Sequence, residues 1–287
     1  MTAKPSLPAN LLLGTSSWST EDWIGPFYPE GTRPADFLAH YAAHYRTVEI
    51  DSTWYRAPRA PMVDGWNAKT PDGFVFAAKV PKSITHEKAL VDCGNELADF
   101  VRTMERLGPK LGPMLLQFEY VAKGKDPEEY RTGAKFLERL APFLRILPRH
   151  HRFVVEVRNE NWLRPELLDL LRERGVALAL TSYFTMPPVE RFLEKADPCA
   201  AGFLYVRFLG HHRQMDETVR KLVDAGKRKS AWGELATDRE ADMRRWVPAL
   251  RELLRRKVPA YAYFNNHYAG YAPGSIDLFL KVWRAAE

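Results

Sequence analysis

Cysteine is almost missing from this 287-residue chain, which holds only Cys93 and Cys199. Two cysteines cannot build a disulfide framework, so a reducing cytoplasm is the expected setting. Long apolar runs are missing too, since none approaches the roughly 20 residues of a membrane span. The first residues, Met1-Thr2-Ala3-Lys4-Pro5, lack the apolar stretch of a signal peptide. Low-complexity tracts, linker-like composition and sequence repeats are also wanting, which argues against disordered, solenoid and multi-domain architectures. One soluble domain over residues 1–287 is expected, with no membrane partner.

What the chain does have is a rhythm. Eight short, apolar, β-branched runs recur, at residues 11–16, 47–51, 74–79, 114–119, 153–158, 176–182, 203–209 and 260–266. Segments with helical periodicity lie between them, such as Phe37, Leu38, Tyr41 and Tyr45, or Leu250, Leu253 and Leu254. Strands alternating with helices imply parallel pairing through βαβ units. Eight such repeats predict a single (β/α)8 TIM barrel, a fold of about 250 residues with its active site at the C-terminal strand ends. Five of the eight runs close on a charged or amide residue. Two connections exceed the roughly 2–6 residues usual in α/β units. Residues 17–33, after the first run, are rich in Trp, Phe, Tyr, Pro and Gly; residues 210–237 follow the seventh. Residues 123–130 form a shorter third. Long loops at that end of a barrel usually carry ligand contacts.

The net charge of +6 is unevenly spread, with 13 Lys/Arg against 8 Asp/Glu between residues 210 and 257. Lys227-Arg228-Lys229 and Arg255-Arg256-Lys257 fall in this stretch. It reads either as a flank for a polyanion such as nucleic acid, or as a solvated face whose cations are interleaved with acids.

The ends of the runs carry motifs in a telling order. Gly14-Thr15-Ser16-Ser17-Trp18 leads to Phe27-Tyr28-Pro29, and Val48-Glu49-Ile50-Asp51-Ser52-Thr53-Trp54-Tyr55 follows. Lys79, Pro81 and Ile84-Thr85-His86 come next, then Leu111-Gly112 with Gln117, then Val155-Glu156-Val157-Arg158 with Trp162. Tyr205-Val206-Arg207 and Phe264-Asn265-Asn266 complete the set. Together these resemble the YecE-like family, domain of unknown function 72, over nearly the whole chain. The resemblance implies a TIM barrel and brings no settled activity. The chain departs from the family pattern at Asp51 and Trp54, where Asn and Phe are expected, and at Glu119-Tyr120, Leu209 and Ser275. Leu209 stands where a histidine often precedes the glycine, which argues against a mechanism built on that histidine.

Side-chain alternation says which residues face the barrel axis. Glu49 and Asp51 share one face of the second run, and Glu156 and Arg158 one face of the fifth. In the sixth run, Ala177, Ala179 and Thr181 oppose Leu178 and Leu180, so the smaller, more polar side is the expected interior. By the same parity Lys79, Gln117, Arg207 and Asn265 point inward. Buried charges persist when paired or when they serve a ligand. One reading is therefore an ion-pair network closing the barrel, for example Glu49 with Lys79. The other has Lys79, Arg158 and Arg207 holding a phosphate or carboxylate, with Glu49, Glu156 and His86 as acid/base candidates. Gln117, Asn265 and Asn266 would orient the ligand beside Asp51, and Trp18, Trp54 and Tyr55 could stack on a sugar or base.

Metal and nucleophile chemistry fit less well. His40 and His44 have the spacing of a zinc pair but lack the HExxH glutamate and lie away from strand ends. A divalent cation on Glu49, Asp51 and Glu156 has suitable oxygens, yet nearby Lys and Arg oppose it, and no cofactor is required. Gly14-Thr15-Ser16-Ser17-Trp18 is not a nucleophile elbow. Arg207 occupies a position where retaining glycosidases of this fold keep a carboxylate. The leading expectation is a hydrolase- or lyase-type enzyme on an anionic, phosphate-bearing, ring-containing substrate. The alternative is a non-catalytic nucleic-acid-binding protein using the aromatic mouth and the basic stretch.

Overall fold

The computed structural model describes residues 7–286. Nine strands run through it: β1 Leu11–Thr15, β2 Thr47–Ile50, β3 Val75–Lys79, β4 Leu111–Gln117, β5 Phe153–Glu156, β6 Ala177–Leu178, β7 Leu180–Tyr183, β8 Leu204–Gly210 and β9 Ala260–Phe264. Every strand pair is parallel. The helices that return the chain are α1 Phe37–His44, α2 Ala60–Ala68, α3 Gly94–Met104, α4 Pro127–Thr132, α5 Ala134–Ile146, α6 Pro165–Arg174, α7 Val189–Lys195, α8 His212–Asp224, α9 Glu240–Leu254, α10 Asn266–Ala269 and α11 Ala272–Ala285. This is the α/β class that the alternation of periods requires. No helix among the described residues is long and apolar enough to cross a membrane.

The strands form two sheets, in the orders β1-β9-β8-β7 and β2-β3-β4-β5-β6. The continuous eight-strand ladder expected from the sequence is thus interrupted at two seams. At one, the sixth run divides at Ala179, so that β6 pairs with β5 and β7 with β8. At the other, β1 and β2 approach without a shared ladder. The Tyr41 hydroxyl accepts from the Thr15 amide (2.8 Å) and donates to the Thr47 carbonyl (3.0 Å). A side chain from α1 thereby satisfies backbone groups that a strand partner would otherwise take.

Two apolar clusters show which way each strand faces. The larger lies between sheets and helices and includes Leu178 and Leu180. The smaller holds Ala77, Leu115, Val154, Ala177, Ala179, Phe203, Tyr205, Tyr261 and Tyr263. The expected alternation is therefore the observed one, with Leu178 and Leu180 against helices. Three tyrosines in the inner cluster carry hydroxyls that find partners: Tyr263 meets Thr47 Oγ1 at 2.8 Å, Tyr261 accepts from Arg152 and Tyr205 donates to Glu49.

The long connections differ from their sequence reading. Much of residues 210–237 is helix, since α8 takes 13 of them. Residues 17–33 fold inward on aromatic contacts, with Trp23 and Tyr28 buried and Tyr28 stacked on Phe37 at 4.3 Å. Trp18, at the start of this segment, packs against the outer core. Its ring meets Trp66 of α2 at 5.7 Å and Phe76 at 6.5 Å, both members of the outer core. Strand parity stops governing direction once the chain leaves β1.

Candidate functional site

The C-terminal strand ends hold a chain of buried charges. Glu49 ends the inner face of β2 and Glu156 that of β5, both with no solvent exposure. Between them lies Arg207 of β8, only 2% exposed. Its Nη2 and Nε donate to Glu49 Oε1 at 2.6 and 3.2 Å, and its Nη1 donates to Glu156 Oε2 at 2.6 Å. The second Glu49 oxygen accepts from the Tyr205 hydroxyl at 2.6 Å, and the second Glu156 oxygen from Arg158 Nε at 2.9 Å. The Arg158 guanidinium lies 4.3 Å over the Tyr183 ring. Neighbouring strands carry a separate pair, Lys79 Nζ with Asp51 at 2.9 Å, and Lys79 sits 4.9 Å from the Trp54 ring centre.

The partners are not those of the sequence expectation. Lys79 pairs with Asp51 rather than with Glu49, and the register explains why. Glu49 lies opposite Ala77, so Lys79, two residues on, is level with Asp51. Glu49 is left to groups reaching across the interior, which are Tyr205 and Arg207.

These contacts set the protonation states. Burial opposes ionisation of Glu156, yet Arg207 and Arg158 outweigh it and hold the carboxyl at about 2. Burial likewise disfavours the Arg207 cation, but Glu156 and Glu49 push its pKa well above the ordinary value. Tyr205 is held as a neutral phenol, by burial first and then by the Glu49 charge.

Two histidines flank this cluster. His86 follows β3 on a π-helical turn, half buried, its ring edge-on to Trp54 at 5.2 Å. Burial lowers its pKa; Glu119 opposes this, while Lys79 and Arg158 add to it. His212 opens α8. Its pKa falls to about 3, through burial, then His267, Arg158 and Arg207. Gly210 makes this placement feasible. Its φ of +67° suits glycine, and a Cβ there would lie 2.5 Å from the His267 carbonyl. His212 and His267 rings sit 4.4 Å apart, and His267 is held by Asn265 Oδ1 (2.7 Å) and Asp216 (3.0 Å).

The remaining candidates fall into two groups. Gln117 is buried, its amide donating to the Phe118 carbonyl. Asn265 and Asn266 use their oxygens locally, on His267 and on the Ala272 amide. Tyr55 is 67% exposed and touches Trp54 edge-on at 4.9 Å. Trp18, packed on Trp66, is apart from this cluster. Sequence reading gave no site role to Tyr205, Tyr183, His212 or His267, although Tyr205 falls within the motif that ends in Arg207. Parity alone marks Tyr205, two residues before Arg207 on the same strand. Ser16 Oγ, Thr181 Oγ1 and His212 Nε2 are buried here with no hydrogen-bond partner among the described residues.

A divalent cation on Glu49, Asp51 and Glu156 does not fit this arrangement, because a cation or phenol of the protein already engages each carboxylate. Elsewhere, His40 and His44 stack at 4.6 Å and bond the carbonyls of Phe27 and His40, which is helix packing. Arg228, central in the basic stretch, is turned inward onto the Glu234 side chain and carbonyl.

Residues 12–287 match the family model described as "Protein of unknown function DUF72". The chain belongs to the DUF72 family. It is 30% identical over 166 residues to UPF0759 protein YecE of Escherichia coli K12, a match spanning 58% of this chain and 55% of that one. It is 22% identical to UPF0759 protein YunF of Bacillus subtilis, over 94% of this chain and all of the other. Among solved structures, a DUF72 family protein from Thermotoga maritima superposes with a TM-score of 0.70 at 26% identity, covering 96% of this chain and 98% of that one. One from Enterococcus faecalis gives 0.62 at 20% identity, covering 95% of each.

Proposed function

We propose that the two sheets make up one (β/α)8 barrel and that its C-terminal mouth is a hydrolase- or lyase-type active site in a cytoplasmic enzyme. Its substrate is a small, phosphate-bearing, ring-containing molecule. The observation that carries this is the buried chain Glu49–Arg207–Glu156–Arg158, set among unpartnered polar atoms. Apolar residues of similar volume would usually stabilise a core as well or better. A fixed array of charges, by contrast, suits a site that must stabilise charge without reorganising.

The geometry supports definite roles. Arg207 is saturated by two carboxylates, so it fixes Glu156, which in turn aims Arg158. Arg158 and Lys79, each with one carboxylate partner, meet the substrate anion. Glu156, at about 2, stays ionised at neutral pH and cannot donate a proton. General bases work best with a pKa near the working pH. His212, near 3, is therefore better suited to accepting a hydrogen bond, which leaves His86, half buried beside Trp54, to move the proton. Glu49 balances the charge of Arg207. The amide NH2 groups of Asn265 and Asn266 remain to orient the substrate, and Trp54 offers a ring face.

Titration calorimetry with inorganic phosphate tests the anion site. Arg158→Ala leaves Glu156 paired with Arg207, so the fold should persist while phosphate affinity falls at least tenfold, about 1.4 kcal/mol. Lys227→Ala with Lys229→Ala should leave it unchanged. Failure of the wild type to bind phosphate, or an Arg158→Ala protein that binds equally well, would remove the reading. Nucleic-acid binding that weakens steeply with salt and depends on Lys227 and Lys229 would favour the alternative.

A further inference from the structure

Beside the mouth lies a cavity of about 290 Å³, entered past His86 and lined by Thr85 and the turns after β3, β4 and β5. Its walls include Leu90, Phe118, Val121, Phe136 and Trp162. Phe136 stacks on Trp162 at 4.9 Å, and Phe118 meets Phe136 edge-on at 4.7 Å, so the aromatic wall is braced. Its other side is polar, with Glu119, Asp126, Glu129, Lys135 and Arg139; Asp126 is paired with Lys135 at 2.6 Å and Glu129 accepts from the Phe136 amide at 3.1 Å.

The backbone on the His86 side is unusual twice over. Ser83–Glu87 is a π-helical turn, closed by the Lys88 amide on the Ser83 carbonyl at 2.9 Å. Such turns are frequent at functional sites. Directly after it, Ala89, Leu90 and Asp92 take φ values of +46°, +70° and +48°. L-residues persist there only where their surroundings over-determine them, commonly at ligand clamps. Ala89 and Leu90 both line the cavity.

We propose that this cavity is a subsite for a planar aromatic or heteroaromatic ring, and that the ring of the substrate is therefore not a sugar. This rests on the anion site proposed above, which the cavity adjoins through His86, Trp54 and Lys79. Ligand pockets usually run from about 300 to 1,000 Å³, so this one holds a single ring system. A sugar carries hydroxyls around its whole edge; those facing Leu90, Phe118, Val121 and Phe136 would find no side-chain partner, and the Trp162 Nε1–H is already given to the Glu129 carbonyl. A flat ring presents its faces to Leu90, Val121 and the aromatics, and its edge N–H groups to Glu119. With the phosphate on Arg158 and Lys79, His86 stands between ring and anion.

The test uses benzimidazole, phenyl phosphate, glucose 6-phosphate and inorganic phosphate, titrated by calorimetry. Phenyl phosphate should bind at least tenfold tighter than inorganic phosphate, and glucose 6-phosphate no tighter. Val121→Trp fills the cavity while keeping the backbone bonds of residue 121 to the Asn159 side chain. It should cut benzimidazole and phenyl phosphate affinity at least tenfold and leave inorganic phosphate unchanged. Should circular dichroism show that variant unfolded, Leu90→Ala takes its place, with a severalfold loss confined to the ring-bearing probes. Glucose 6-phosphate binding as tightly as phenyl phosphate, with both indifferent to the cavity variants, overturns the ring subsite and leaves the anion site standing. Benzimidazole binding in a protein that ignores inorganic phosphate keeps the subsite and overturns the anion site. A wild type that binds no benzimidazole overturns the subsite.

Discussion

Replacing Arg207 with methionine is expected to destabilise the protein by about 3–5 kcal/mol, the usual cost of removing one partner from a buried ion pair. Methionine fills much of the volume, so the loss is chiefly electrostatic. Glu156 keeps Arg158, but Glu49 is left with the Tyr205 hydroxyl alone in a site without solvent exposure. Urea unfolding would measure the change, and a loss under about 1 kcal/mol would mean that the three groups are not coupled. Adding Glu49→Leu to Arg207→Met should recover much of the loss, because it removes the stranded charge. The pH dependence should also flatten. In the wild type, the depressed Glu156 contributes stability that is fully present above its ordinary value of 4.5 and is lost as pH falls toward about 2. In Arg207→Met that contribution should shrink, because Arg207 has the larger effect of the two cations that hold the Glu156 carboxyl down.

Much of this arrangement was legible in the sequence, and the reason is the strictness of strand alternation. Ala177 and Ala179 against Leu178 and Leu180 told inside from outside, and the same parity placed Glu49, Glu156 and Arg207 on the inner face. Pairing was less legible, because it depends on register between strands. A one-step assumption puts Lys79 beside Glu49, whereas the actual register sets it beside Asp51. Reach across the interior was hidden as well: Arg207 and Tyr205 meet a glutamate more than 150 positions away in the chain. His212 could not be placed because its direction hangs on the left-handed turn at Gly210. The break at Ala179 was invisible too, since a strand that changes ladder partner keeps the same side-chain pattern.

The seam between β1 and β2 shows the same limit from the other side, because its decisive residue has no side chain. Gly14→Ala is expected to destabilise the fold by about 3 kcal/mol or more, at or above the upper end of the usual range for overpacking. An added Cβ would lie 2.2 Å from the Thr47 carbonyl oxygen and 2.9 Å from its carbon. Both are backbone atoms, so no rotamer change relieves the clash, and β1 must move away from β2. Movement there also breaks the bridge that Tyr41 makes from the Thr15 amide to the Thr47 carbonyl. Tyr41→Phe alone leaves those two groups unpaired, at about 1–3 kcal/mol each. Because the two substitutions damage one seam, the double variant should lose less than the sum of the singles. Amide exchange gives the local reading: the Thr15 amide should exchange faster in either variant, while amides within β8 and β9 are affected less. Full additivity, with the Thr15 amide still protected in Gly14→Ala, would show that Tyr41 is not what joins the two sheets.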